Sequence, residues 1–168
     1  MIEPGSVQTA DDPIPDRPAP TRSPSPMSIA LAEARAAAAM GEVPVGAVVA
    51  RGREVIARGH NLTRTTNDPT AHAEIVTIRR ACAVLGTDRL PGLDLHVTLE
   101  PCPMCAGAIA HARLARLYYG AADPKGGGVE HGPRVFAHPT CHHRPEVYEG
   151  IGASEASALL RDFFRERR

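Results

Sequence analysis

Leu95-His96-Val97-Thr98-Leu99-Glu100-Pro101-Cys102-Pro103-Met104-Cys105 changes backbone character within eleven residues. Leu95 to Leu99 reads as a short strand. Pro103 suits the first turn of a helix, where its missing N–H has no partner to lose, and the helix is expected to reach about Ala112. Toward the C-terminus, Leu114 to Gly120 reads as another strand around Leu117-Tyr118-Tyr119. Residues 121–150 are rich in Gly, Pro and His and are expected to form loops, and Glu155 to Arg168 reads as a closing amphipathic helix. Toward the N-terminus, Asp68-Pro69-Thr70 is a helix-start signal for a helix from about Ala71 to Leu85, stopped by Gly86. Val43 to Ala50 reads as a buried strand with Gly46 inside it, joined through Arg51-Gly52-Arg53 to a second strand, Glu54 to Arg58. Before them, Met27 to Met40 is an Ala-rich helix with Gly41 placed to end it. Strands alternating with helices behind an antiparallel hairpin indicate a layered α/β domain. No internal repeat is seen.

The chain has 168 residues, 43% of them apolar, enough for one domain with a core and too few for two. It has no run of eighteen apolar residues, so no membrane-spanning helix is expected. Its N-terminus lacks the basic start and apolar stretch of a secretory signal. Lys and Arg total 19 against 19 Asp and Glu, which excludes a strongly basic protein but leaves room for a local basic patch. Four cysteines are too few for a disulfide scaffold. Residues 1–26 stand apart: they hold seven of the 16 prolines, few apolar side chains and a net charge of −2. Such a segment cannot bury enough surface to offset its ordering entropy. It is expected to be a disordered, inert tail, with the folded domain at residues 27–168 carrying +2.

His72, Glu74, Cys102 and Cys105 carry the chemistry. Cys102 and Cys105 are three apart at a predicted helix start, so both sulfurs can face one point, and helix N-terminal amides favour the thiolates a metal needs. His72, from another helix start, would add an imidazole. Zinc takes such ligands in tetrahedral geometry, and three protein ligands leave a fourth position for water. Metal binding lowers the pKa of that water toward neutrality. Glu74, two residues after His72, is placed to take its proton and pass it on, with Ile75 and Val76 helping to keep solvent out. Each half of this pattern has a plainer reading. A Cys-x-x-Cys is often a structural zinc corner or a redox pair, and most His-x-Glu pairs are surface residues. A structural zinc would need a fourth protein ligand, for which Cys82, Cys141, His142 and His143 are available.

His-x-Glu followed by Pro-Cys-x-x-Cys is the signature of the zinc nucleobase deaminases, which this chain therefore resembles. More narrowly, it is similar to the bacterial tRNA-specific adenosine deaminases over about Met27 to Arg168. The matching stretches are Glu42-Val43-Pro44-Val45-Gly46-Ala47-Val48, Asp68 to Glu74, Val97 to Cys102, Met104 to Ala108 and Asp162-Phe163-Phe164-Arg165. The resemblance implies a cytidine deaminase-like three-layer α-β-α sandwich around a mixed five-stranded sheet, and a cytoplasmic homodimer. It implies one Zn2+ per subunit on His72, Cys102 and Cys105, with Glu74 shuttling protons. It further implies that Asn61 hydrogen-bonds the substrate base with the amide of Ala73 nearby, although Asn61 also reads as a turn residue after the second strand.

The implied substrate is the wobble adenosine of a tRNA anticodon stem-loop, converted to inosine by attack at C6 with loss of ammonia. Asp123 and Lys125 fall where the family contacts RNA. Arg161, Arg165 and Arg168 share a helical face that can meet phosphates or simply face solvent. Phe163 and Phe164 are expected to complete the core more than to stack a base. The chain departs from the family pattern at Gly126-Gly127-Gly128-Val129-Glu130-His131. His138-Pro139-Thr140-Cys141-His142-His143 is rich in potential ligands, expected to line the active-site rim rather than hold a second metal. Two other readings stay open: deamination of a free base or nucleoside of guanine or cytosine type, and a non-enzymatic zinc module.

Overall fold

Ser25 and Pro26 start the first helix. In the computed structural model, which describes residues 23–167, the Ser25 hydroxyl accepts from the Ser28 amide at 3.1 Å, and α1 runs Pro26–Ala39. The expected tail lies outside the described residues up to residue 22. β1 (Gly46–Arg51) and β2 (Glu54–His60) form the expected hairpin. α2 (Ala73–Leu85), β3 (Asp94–Leu99), α3 (Pro103–His111) and β4 (Arg116–Ala121) follow. A short 3-10 turn at Val135–Ala137, β5 (Glu146–Tyr148) and α4 (Ala153–Arg165) complete the chain.

The sheet order is β2-β1-β3-β4-β5, with β1 antiparallel to β2 and β3, and β3, β4 and β5 mutually parallel. Alternation along the strands divides the core. Ala47, Val49, Leu95, Val97, Leu117 and Tyr119 face α2 and α3. Val48, Ala50 and Ala121 face α1 with Ala156 of α4. The result is the three-layer α-β-α sandwich on a mixed five-stranded sheet. Leu95, Ile109 and Leu117 are fully buried, each worth about 1.5–3 kcal/mol relative to exposure. Gly46 lets α1 lie on β1: a Cβ there would stand 2.0 Å from the Ala30 carbonyl oxygen and 2.6 Å from the Ala34 nitrogen. On the α1 face, His96, Tyr118 and Tyr148 are register partners on three adjacent strands and stack in sequence. Their ring centroids are 4.5 and 4.8 Å apart. Burial holds the His96 ring below its ordinary pKa, against the pull of Asp94, and both its nitrogens lack a hydrogen-bond partner.

Several expected boundaries move for physical reasons. β1 begins at Gly46 rather than Val43, because Pro44 has no N–H for the ladder and the Val45 amide turns back to the Val43 carbonyl at 2.8 Å. α2 begins at Ala73 rather than Ala71, because the Asp68 carboxylate spends itself on the Thr70 amide and hydroxyl, at 2.8 and 2.6 Å. α4 begins at Ala153, after Gly152 in left-handed backbone (φ 74°). Within residues 121–150, expected to be loop throughout, Glu146–Tyr148 pairs with β4 as the fifth strand.

Candidate active site and metal centre

The register places four strand ends together. Gly46 at the start of β1 pairs with His60 at the end of β2, Ala47 with Val97 near the end of β3, and Leu99 with Ala121 at the end of β4. The N-termini of α2 and α3 meet at this same edge. Asp68–Thr70 forms a turn that delivers His72 in extended backbone as the N-cap of α2. β3 runs through Glu100-Pro101 into Cys102, the N-cap of α3, with Cys105 in the first turn and fully buried.

The His72 Nδ1 lies 3.6 Å from both the Cys102 and Cys105 sulfurs, and the three ligand atoms fall within 4.8 Å of one another. Ligands held about 2.0–2.3 Å from one tetrahedral ion stand about 3.5 Å apart, so the donor set and its spacing fit zinc. The hydrogen bond from Cys105 and the neighbouring His72 bring Cys102 down to about 4, while the Cys102 thiolate and burial push Cys105 up. The hydrogen bond to Cys102 raises His72. Glu74, the second residue of α2, is 4% exposed, and burial pushes its carboxyl up to about 7. It is thus able to hold or release a proton near neutrality. Among the described residues no fourth protein ligand joins this group. Of the alternatives, the Cys141 thiol donates to the His143 carbonyl at 3.1 Å and the His143 Nε2 meets the Leu114 carbonyl at 2.6 Å.

Asn61, directly after β2, is buried, and its Nδ2 donates to Glu42 at 3.2 Å and to the Thr63 hydroxyl at 3.3 Å. That commits the nitrogen and turns the carboxamide oxygen into the group with which Asn61 can meet a base. Ala73, the first residue of α2, is 1% exposed. The Asp123 Oδ1 accepts from the amides of Lys125 and Gly126, at 3.1 and 2.9 Å, and shapes its own turn. Lys125 is exposed. On α4, Phe163 is buried and Phe164 is half exposed; Arg165 pairs with Asp162 at 2.9 Å, and Arg168 lies outside the described residues. The His138–His143 segment contributes His138, Cys141 and His142 to a cavity of about 270 Å³ with Gly107 and His111 of α3, which none of His72, Cys102 and Cys105 lines, and forms no second metal group among the described residues.

Two residues of the site were not singled out in the sequence. Glu42 is fully buried and accepts from Asn61, Thr63 and both the amide and hydroxyl of Thr65. Burial pushes its carboxyl up, but these bonds outweigh it and leave it below the usual range. Glu100 is 2% exposed and likewise lowered: burial is outweighed by backbone bonds from Asp123, His131 and Glu130 and by the His131 side chain. Their signal was a Glu lodged between apolar residues on either side of a strand, in Glu42-Val43-Pro44-Val45 and Leu99-Glu100-Pro101.

Comparison with known proteins places this geometry among others. The family pattern described as MafB19-like deaminase matches residues 24–168. A tRNA-specific adenosine deaminase from Agrobacterium fabrum is 61% identical over 142 residues, covering 84% of this chain and 93% of the relative. A solved chain from structural studies of A-to-I editing by tRNA A34 deaminases at the wobble position is 60% identical. It superimposes with a TM-score of 0.79 over 80% of this chain and 98% of its own. A guanine deaminase from Nitrosomonas europaea is more distant, at 27% identity and a TM-score of 0.67 over 82% of each chain.

Proposed function

The chain belongs to the MafB19-like deaminases and, among them, to the tRNA-specific adenosine deaminases, and on that premise we propose how its residues convert a wobble adenosine to inosine. It is a hydrolytic deaminase of adenosine in tRNA. The observation that carries the mechanism is one imidazole and two thiols converging beside a buried carboxyl with a pKa of about 7. In this reading His72, Cys102 and Cys105 would hold one Zn2+. When bound, such an ion lowers the pKa of a coordinated water toward neutrality and so supplies the nucleophile.

The chain's own residues do the rest. Glu74 takes one proton of the attacking water on a carboxylate oxygen and passes it to the ring nitrogen as the C6–O bond forms; it then takes the proton of the new C6 hydroxyl and gives it to the amino group as the C6–N bond breaks, leaving the oxygen as the carbonyl of inosine and releasing ammonia. Its burial matches its pKa to a task that needs both protonation states near neutral pH. Asn61, its nitrogen held by Glu42 and Thr63, presents its carboxamide oxygen to the edge of the base, next to the amide of Ala73. Lys125 is placed for the phosphates of an anticodon stem-loop, while Asp123 shapes the turn that carries it. The same proposal includes a cytoplasmic homodimer. It is supported by the family.

Zinc-loaded protein is incubated in parallel with an anticodon stem-loop bearing a wobble adenosine, with free guanine and with free cytosine. Inosine in the stem-loop, with no ammonia from the free bases, is the expected result. Xanthine from guanine and an untouched stem-loop would overturn the reading in favour of a free-base deaminase.

A further inference from the structure

Glu100 directly follows β3 and immediately precedes Pro101-Cys102, yet it is not part of the ligand group. Five donors converge on its two oxygens. Oε2 accepts from the Asp123 amide at 2.9 Å and faces the His131 Nδ1 at 2.7 Å. Oε1 accepts from the amides of Val129, Glu130 and His131 at 3.2, 2.9 and 3.0 Å. All five come from the loop after β4. That loop also lies directly on the start of α3, with the Gly128 amide donating to the Pro101 carbonyl at 2.8 Å. Glycine permits the approach: a Cβ on Gly127 would stand 2.6 Å from the Glu100 carboxyl carbon, and one on Gly128 2.5 Å from the Pro103 nitrogen. The run from Gly126 to His131, which departs from the family pattern, is thus the part of the chain wrapped around this carboxylate.

A carboxylate this deeply buried is tolerated only when its lone pairs are filled. One loop fills them all, so loop and carboxylate fix each other. The β3–β4 connection does not need the charge, since the Glu100 amide already donates to the Ala121 carbonyl at 2.8 Å. What the carboxylate adds is the position of the segment that carries Lys125 and walls the approach to Cys102.

We propose that Glu100 is a positioning residue for the RNA substrate: it clamps the 123–131 loop onto the start of α3, so that Lys125 and the loop backbone are in place before the anticodon loop arrives. The inference rests on the assignment of tRNA as substrate.

The test compares zinc-loaded wild type, Glu100→Gln and Gly127→Ala by hydrogen exchange without substrate and by steady-state deamination of the stem-loop. In Glu100→Gln the amides of Asp123, Val129, Glu130 and His131 should exchange about tenfold faster or more, with α2 unchanged. KM should rise about tenfold while kcat stays within about threefold and zinc remains at one per chain. Gly127→Ala disturbs the same contact from the loop side and should move KM and exchange in the same direction. The double variant should be no worse than the larger single one. Should Glu100→Gln fail to fold, Gly127→Ala decides by the same criteria. A loss of kcat or zinc at unchanged KM overturns the inference and assigns Glu100 to the metal centre. Wild type that leaves the stem-loop unconverted removes the substrate reading and this inference together. Wild type that converts it, with a Glu100→Gln variant of wild-type KM and exchange, removes this inference alone.

Discussion

Replacing Glu42 by Gln keeps the shape of a fully buried side chain, removes its charge and turns one acceptor oxygen into a donor. The carboxylate now faces the Thr65 amide and hydroxyl at 2.7 and 2.9 Å through Oε1, and Asn61 and Thr63 at 3.2 and 3.4 Å through Oε2. A Gln oxygen on the Thr65 side keeps the two shorter bonds in weakened form and sets an NH2 against two donors on the other side. Hydrogen bonds to a charged acceptor are worth about 1.5–3 kcal/mol, so the loss of one side should cost about 2–4 kcal/mol. At about 2–4 °C per kcal/mol for a chain of this size, Tm should fall by roughly 5–15 °C. To escape the donor clash the Asn61 carboxamide turns over and withdraws its oxygen from the base, so kcat/KM on the stem-loop should fall about 100-fold. The charge also sets a pH signature. Because the folded-state pKa lies below that of the unfolded chain, the carboxylate stabilises fully above about pH 4.3 and progressively less as the pH falls through the folded value. The stability gap between wild type and Glu42→Gln, measured by urea unfolding, should therefore be constant near neutrality and close in acid. A gap under about 0.5 kcal/mol at pH 7, or one that is the same at acid and neutral pH, would refute the reasoning.

On the proposed role of Glu74 in proton transfer and not ligation, Glu74→Gln should lower kcat by about 10²–10⁴-fold while the protein still binds one zinc per chain by elemental analysis. In metal-free protein near pH 6, iodoacetamide should alkylate Cys102 well before Cys82. The first is held near 4 by its hydrogen bond to Cys105 and by His72, and the second is pushed up by burial and Asp88; peptide mass spectrometry reads the order. Adding zinc should protect Cys102. Gly46→Ala places a Cβ 2.0 Å from the Ala30 carbonyl oxygen, a contact with backbone that no rotamer relieves, and should cost about 3 kcal/mol in urea unfolding.

The candidate metal ligands were legible because each sits at a helix start that the sequence marks. Pro103 fixes the first turn of α3, and Asp68-Pro69-Thr70 announces α2. The same mark misled by two residues at α2, since Asp68 caps a turn before the helix and not the helix itself, and it is that turn which leaves His72 extended and free to ligate. β5 was invisible for a different reason. Its three residues include no buried one, so no alternation betrays it, and its place is set by pairing with β4 alone. Glu42 and Glu100 escaped because a Glu among apolar residues reads as a boundary. Only the fold reveals that loops roughly twenty to thirty residues further along close on each of them.

The ladder of His96, Tyr118 and Tyr148 has an optical consequence. The chain contains no tryptophan and three tyrosines, so tyrosine emission is unmasked, and two of its three emitters lie in one stack. The outermost ring belongs to the shortest strand, at the rim of the sheet. Peeling of that rim separates the rings and changes their fluorescence and near-ultraviolet dichroism, while the His72, Cys102 and Cys105 group at the strand ends is untouched. The protein thus carries a native spectroscopic gauge of one border, readable without a label.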